Sequence, residues 1–235
     1  MKGENKMREL YEKYDEMLKK NGFLKRHTEC LPFIGDEYEK GRLLLIGESH
    51  YLEKKYVPCV DREDFYEVSF ADLPDGDYKG WIDTRAVWEY RVYEKAKFEN
   101  FFANTATEIA KVVYQTENPS RDQRIEAMNY YAFMNYYKRP SFEEGKTING
   151  LTEKDNQYAY DVSSYIMDVL EPKMVIFLSK KAYYAFCESD VGERLHSKYD
   201  IKCVSHPSSV WWNRRRSDGK CAREEFREYV NSLFN

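Results

Sequence analysis

The sequence has no surplus of positive charge, no cysteine pair at metal-ligand spacing and no long apolar run, and each absence removes a class of protein. With 37 Lys and Arg against 41 Asp and Glu the formal net charge is -4. The chain as a whole is therefore not a polycation that coats nucleic acid, and any contact with a polyanion must be a local patch. Five cysteines (Cys30, Cys59, Cys187, Cys203 and Cys221) form an odd set without a C-x-x-C pair. That pattern argues against a disulfide framework, a zinc site and an iron-sulfur cluster. No stretch reaches the roughly 18 apolar residues of a membrane span, and Met1 to Lys20 alternates charged with apolar side chains, unlike a secretion signal. The expectation is a cytoplasmic protein with no membrane contact, no metal and no cofactor. Neither an internal repeat nor a low-complexity tract occurs, which removes solenoids and propellers.

What is present suits an ordinary globular chain. At 235 residues and 42% hydrophobic content it can fill the core of one domain spanning 1-235. Arg42 to Ile46 and Met174 to Leu178 are apolar runs of the kind buried on both faces of a parallel sheet. Tyr130 to Asn135 and Ile201 to Ser205 are shorter or more aromatic strand candidates. Helical patterns lie between them. An N-terminal helix over 7-21 places Leu10, Tyr14, Met17 and Leu18 on one face, with Asn21-Gly22 as its stop. Thr152 and Asp155 have capping-box spacing before a helix that ends near Pro172. Further helices are expected over about Thr84 to Gln115, Lys180 to Glu188 and Ala222 to Leu233. This alternation predicts an α/β protein, a three-layer α/β/α sandwich with a central four-stranded parallel sheet. Residues 51-80, acidic and carrying the turn Leu73-Pro74-Asp75-Gly76, read as a long loop inserted after the first strand.

In open parallel sheets ligands bind beyond the carboxyl ends of the strands, and those positions are polar here. Gly47-Glu48-Ser49-His50-Tyr51 follows the first strand. Asn135 ends the second and leads into Tyr136-Tyr137-Lys138-Arg139-Pro140. Ser205-His206-Pro207-Ser208-Ser209 follows the fourth.

In order and content these segments resemble the uracil-DNA glycosylase superfamily, whose members carry G-Q-D-P-Y or G-E-A-P-G after strand one and a later H-P-S before a DNA-inserting loop. Gly47 matches the first motif, as do Glu48 or Tyr51 depending on the branch, and His206-Pro207-Ser208 matches the second throughout. The resemblance spans about Leu43 to Arg216. It implies hydrolysis of an N-glycosidic bond after a nucleotide is flipped out of DNA. His206 would donate to the departing base's oxygen. Asn135 would read the base edge, beside Gly47, and Tyr51 would press on C5 of the base. Val210-Trp211-Trp212-Asn213-Arg214-Arg215-Arg216 follows Ser208 and Ser209, and this aromatic wedge with its arginines would meet DNA. One departure bears on catalysis: Ser49 stands where the best-known branch has a water-orienting Asp, so Glu48 or His50 would have to position the water, or the pocket binds without cutting. Leu45-Ile46-Gly47-Glu48-Ser49-His50 also resembles the G-E-x-H segment of erythromycin-esterase-like hydrolases, which offers a small-molecule hydrolase as the alternative.

Overall fold

The computed structural model describes residues 11–61, 64–93, 100–142 and 147–234. Five strands run in chain order: β1 (Phe33–Ile34), β2 (Leu43–Gly47), β3 (Tyr131–Asn135), β4 (Met174–Phe177) and β5 (Asp200–Cys203). They pair as β1-β3-β2-β4-β5. Strands β2 to β5 are mutually parallel, whereas β1 lies antiparallel to β3 through Phe33 opposite Phe133 and Ile34 opposite Ala132. The sheet is thus mixed and five-stranded, not the four-stranded parallel sheet expected. A two-residue strand has no periodicity to read, which is why Phe33-Ile34 escapes a pattern search.

The central strands form because their side chains are apolar on both faces. Leu44 and Ile46 of β2 join Val175 and Phe177 of β4 in one cluster, while Leu43 and Leu45 join Met174 and Ile176 in a second. Burial of each such side chain contributes about 1.5–3 kcal/mol. Six helices frame the site: α1 (Thr84–Tyr93), α2 (Asn100–Val113), α3 (Glu153–Leu170), α4 (Lys180–Cys187), α5 (Asp190–Lys198) and α6 (Ala222–Phe234). Val162 and Ile166 of α3 and Phe186 of α4 pack into the first cluster, and Ile109 of α2 with Phe226 and Val230 of α6 into the second. Both faces of the sheet are therefore covered. Thr152 caps α3 through the expected box, accepting from Asp155 N while the Asp155 carboxylate accepts from Thr152 N.

Two expectations are corrected. The N-terminal helix is described over 11–18, with Tyr14 and Leu18 buried but Met17 exposed, and Leu10 lies outside the described residues. The helix does stop ahead of Asn21-Gly22, and Asn21 then caps the next helix, Gly22–Arg26. The segment 51–80 is no loose loop either. It folds into short helical turns, and Val60, Phe65, Tyr66, Leu73 and Tyr78 are buried within the first cluster. Its acidic average conceals aromatic residues that pack inward; residues 62 and 63 lie outside the described ones. No helix among the described residues is long and apolar enough to cross a membrane.

The strand order positions the site. From β2 the chain passes to β3 on one side, then recrosses to β4 on the other, so the connections diverge between β2 and β4. A crevice opens at such a switch point, beyond the carboxyl ends of the strands.

Candidate functional site

Gly47 and Asn135 are register partners at the ends of β2 and β3. A Cβ on Gly47 would stand 2.5 Å from Asn135 Oδ1 and 2.7 Å from Phe133 Cζ, so the absence of a side chain at 47 is what lets the Asn135 amide lie across the rim. The two following segments stay joined beyond the strands. Tyr136 N donates to Gly47 O (3.0 Å), Tyr137 N to Glu48 O (2.9 Å) and Ser141 N to His50 O (2.7 Å). Because β2 and β5 point the same way, His206 emerges at the same edge as Gly47 and Asn135, two strand spacings from β2, or about 10 Å.

Glu48 spans the crevice. Its Oε2 accepts from Ser179 Oγ at 2.6 Å and its Oε1 from Ile148 N at 2.9 Å. Ser179 in turn caps α4 by accepting from Ala182 N, and the Lys181 ammonium donates to Ile148 O. Neither Ser179 nor Ile148 stood out as a site residue in the sequence. Ser179 carried a signal, a hydroxyl directly ahead of a helical pattern, but the position of Ile148 depends on a long-range pairing.

His206 follows β5, and its loop is anchored from α2, where Asn104 Nδ2 donates to Pro207 O at 2.8 Å. Nδ1 of His206 accepts from Ser208 N at 3.2 Å, which leaves the proton of the neutral ring on Nε2. Burial holds this imidazole below its ordinary range, opposed by the nearby Glu48 carboxylate. At neutral pH His206 is an uncharged N–H donor. No model of a known protein family and no curated protein matches the chain.

Between these groups the Ser49 hydroxyl is buried, and no described residue hydrogen-bonds to it. His50 is committed elsewhere: its Nε2 meets Thr84 Oγ1, at the start of α1, at 2.9 Å. Desolvation, with a contribution from the Lys138 ammonium, pushes the ring from 6.5 to about 4. Lys138 is itself buried, donating to Asn135 O (2.7 Å) and Ser163 Oγ (3.2 Å), and burial pulls it from 10.5 to about 8. Tyr51 is 41% exposed and bridges to Ser141; burial of its hydroxyl, then the Glu48 carboxylate, raises its pKa. The rim therefore gathers Gly47, Glu48, Ser49, Asn135 and His206, with His50 bound to Thr84 behind it.

The histidine shift has a measurable consequence. A histidine whose folded pKa lies below its unfolded value binds its proton more readily unfolded, so its contribution is present at neutral pH and lost as pH falls from 6.5 towards 4. Over that window the wild type should lose about 2 kcal/mol more stability than His50→Gln, after discounting for the part of the ring solvent still reaches. Urea midpoints at pH 7 and pH 4 test this. Parallel losses in the two proteins would exclude it.

The loop after His206-Pro207-Ser208 separates into an inner and an outer half. Ser208 is exposed, and the Ser209 hydroxyl is buried without a partner among the described residues. The turn Val210–Trp212 leaves Val210 75% and Trp211 51% exposed, whereas Trp212 is 1% exposed with its ring 5.6 Å from that of Phe226. Trp212 is thus a core anchor and not part of a wedge. Two of the three arginines are engaged by carboxylates. Arg215 pairs with Glu224 at 3.0 Å; Arg216 grips the Glu225 carboxylate with both terminal nitrogens and also reaches Asp218 at 3.2 Å. Only Arg214 makes no ion pair among the described residues, and its guanidinium lies over the Trp211 ring at 4.7 Å. Val210, Trp211 and Arg214 form the outward surface.

Proposed function

We propose that the chain is a uracil-DNA-glycosylase-like protein that takes a flipped base of DNA at this rim and hydrolyses its N-glycosidic bond. The helices on both faces of the sheet would then form the three-layer α/β/α sandwich. The observation that carries the reading is the neutral His206, which carries its ring proton on Nε2 and follows β5 at the same sheet edge at which Asn135 ends β3. In the reaction the bond from the anomeric carbon to the base nitrogen breaks, and its electron pair moves into the base towards a carbonyl oxygen. A donor already oriented at that oxygen stabilises the departing anion without reorganisation. Asn135 offers a donor and an acceptor to the base edge, and water completes the sugar. Trp211, with Arg214 stacked on it, supplies an apolar face for the vacated stack and a cation for a flanking phosphate.

A binding-only reading is favoured by one specific feature, the orphaned Ser49 hydroxyl. It is neutral, and both oxygens of the neighbouring Glu48 are already engaged. The measurement is release of free base from a uracil-containing oligonucleotide by the wild type and by Ser49→Asp. A carboxylate there should hold water and face the developing sugar cation, raising a slow wild-type rate by up to about a hundredfold. Slow turnover accelerated by the substitution supports hydrolysis. No release from either protein, with tight binding of the oligonucleotide, establishes the binding-only function. Brisk wild-type release would mean that another group already positions the water.

A further inference from the structure

Away from the rim, a nucleophile and a base meet where α4 turns into α5. Cys187 is the last residue of α4 and is exposed; its Sγ lies 3.4 Å from Nε2 of His196 on α5. The contact follows from local sequence. Ser189 caps α5, accepting from Gly192 N at 3.0 Å, and so starts the second helix directly after the first. A Cβ on Gly192 would stand 2.0 Å from Phe186 O and 3.2 Å from Cys187 Cα, so only glycine lets α5 press against the end of α4. His196 is four residues further along and therefore on the same face as Gly192. The close approach that Gly192 permits is what delivers the imidazole to the sulfur.

The surroundings fix the ring and supply a donor. Phe186 and Tyr183 flank His196 with ring centroids at 5.8 and 5.9 Å. Tyr183 is pushed up to about 12, first by burial and then by its hydrogen bond with Cys187, so its hydroxyl stays protonated. Cys203 on β5, which faces the same group, is pushed up to about 12 by burial and remains a thiol. Cys30 and Cys221 are buried.

We propose that Cys187 is a modification site, a thiol that His196 deprotonates for oxidation by hydrogen peroxide. The thiol proton passes to Nε2, and the sulfur's electron pair attacks one peroxide oxygen as the O–O bond breaks. Sulfur is oxidised by two electrons to the sulfenic acid. The other oxygen, reduced, takes the proton from the imidazolium and leaves as water.

The test uses the whole protein, treated with hydrogen peroxide in the presence of dimedone and mapped by peptide mass, with iodoacetamide rates measured in parallel. Cys187 should carry the dimedone adduct and alkylate about tenfold faster than half-buried Cys59, the internal reference. His196→Gln should remove most of that advantage and leave Cys59 and the melting temperature unchanged. Gly192→Ala should slow Cys187 as well, by separating the helices. The proposal is overturned if Cys187 reacts no faster than Cys59, or if His196→Gln changes its rate by less than about twofold, well short of the loss of an activating base.

Discussion

His206→Ala should reduce the rate of base release by about a hundredfold or more while leaving oligonucleotide affinity nearly intact. The expected loss is about 3 kcal/mol, the scale of removing one oriented donor from a developing oxyanion. The two effects separate because the donor acts on charge that appears only in the transition state, while the loop that carries it loses the ring's tie to Ser208 N and keeps its other anchors. Asn104 grips Pro207 O, and Val204 N continues the sheet hydrogen bonding to Phe177 O. Removing the imidazole therefore leaves the rim's outline in place. Single-turnover rates set beside equilibrium binding of the same oligonucleotide distinguish the outcomes. A fall in affinity with the rate preserved would assign His206 to recognition instead.

The adjacent tryptophans should respond in opposite ways. Trp212→Ala should cost about 4 kcal/mol of folding stability, because a fully buried ring against Phe226 leaves a cavity that the sheet and α6 cannot close. Trp211→Ala should change stability by less than about 0.5 kcal/mol and instead weaken oligonucleotide binding by about tenfold, the value of one stacked base. Chemical denaturation and a binding titration of both variants decide the matter. If Trp211→Ala leaves binding untouched, the exposed half of the loop is not a nucleic-acid surface.

Much of the framework is legible from residue order alone. Leu43 to Gly47 and Met174 to Phe177 announce themselves as continuous apolar runs, and Ser179 and Thr152 mark helix starts by their hydroxyls. That Gly47, Asn135 and His206 leave the sheet at one edge then follows from parallel strands. Other features depend on information that one-dimensional patterning lacks. The recrossing of the chain at β2, which makes Glu48 the residue that spans the crevice, is a matter of strand order, and nothing local encodes it. Trp211 and Trp212 have the same side chain, and a single 3₁₀ turn decides which is buried. Arg215 and Arg216 read as a basic patch until Asp218 and Gly219 turn the chain back and bring Glu224 and Glu225, each nine residues on, to their guanidinium groups. The failure at 51–80 has a different origin. Averaged charge describes the solvent-facing half of such a segment, whereas its fold is decided by Val60, Phe65 and Tyr78.

The hydrogen bonds that continue past β2 and β3 give the two walls of the crevice unequal stiffness. On one side, the amides of Tyr136, Tyr137, Ser141 and Leu52 are tied into the opposing segment, Leu52 N to Ser141 O at 2.9 Å. On the other, the amide of Ser208 is held by a single side-chain nitrogen of His206 in an exposed loop. If a ligand binds there, more of the ordering entropy would be lost at the His206 wall than at the other. On the proposed reading the Asn135 wall is a fixed template for the ligand's edge, its amides exchanging with solvent slowly whether or not a ligand is bound, whereas the exposed Ser208 amide slows when the crevice is filled.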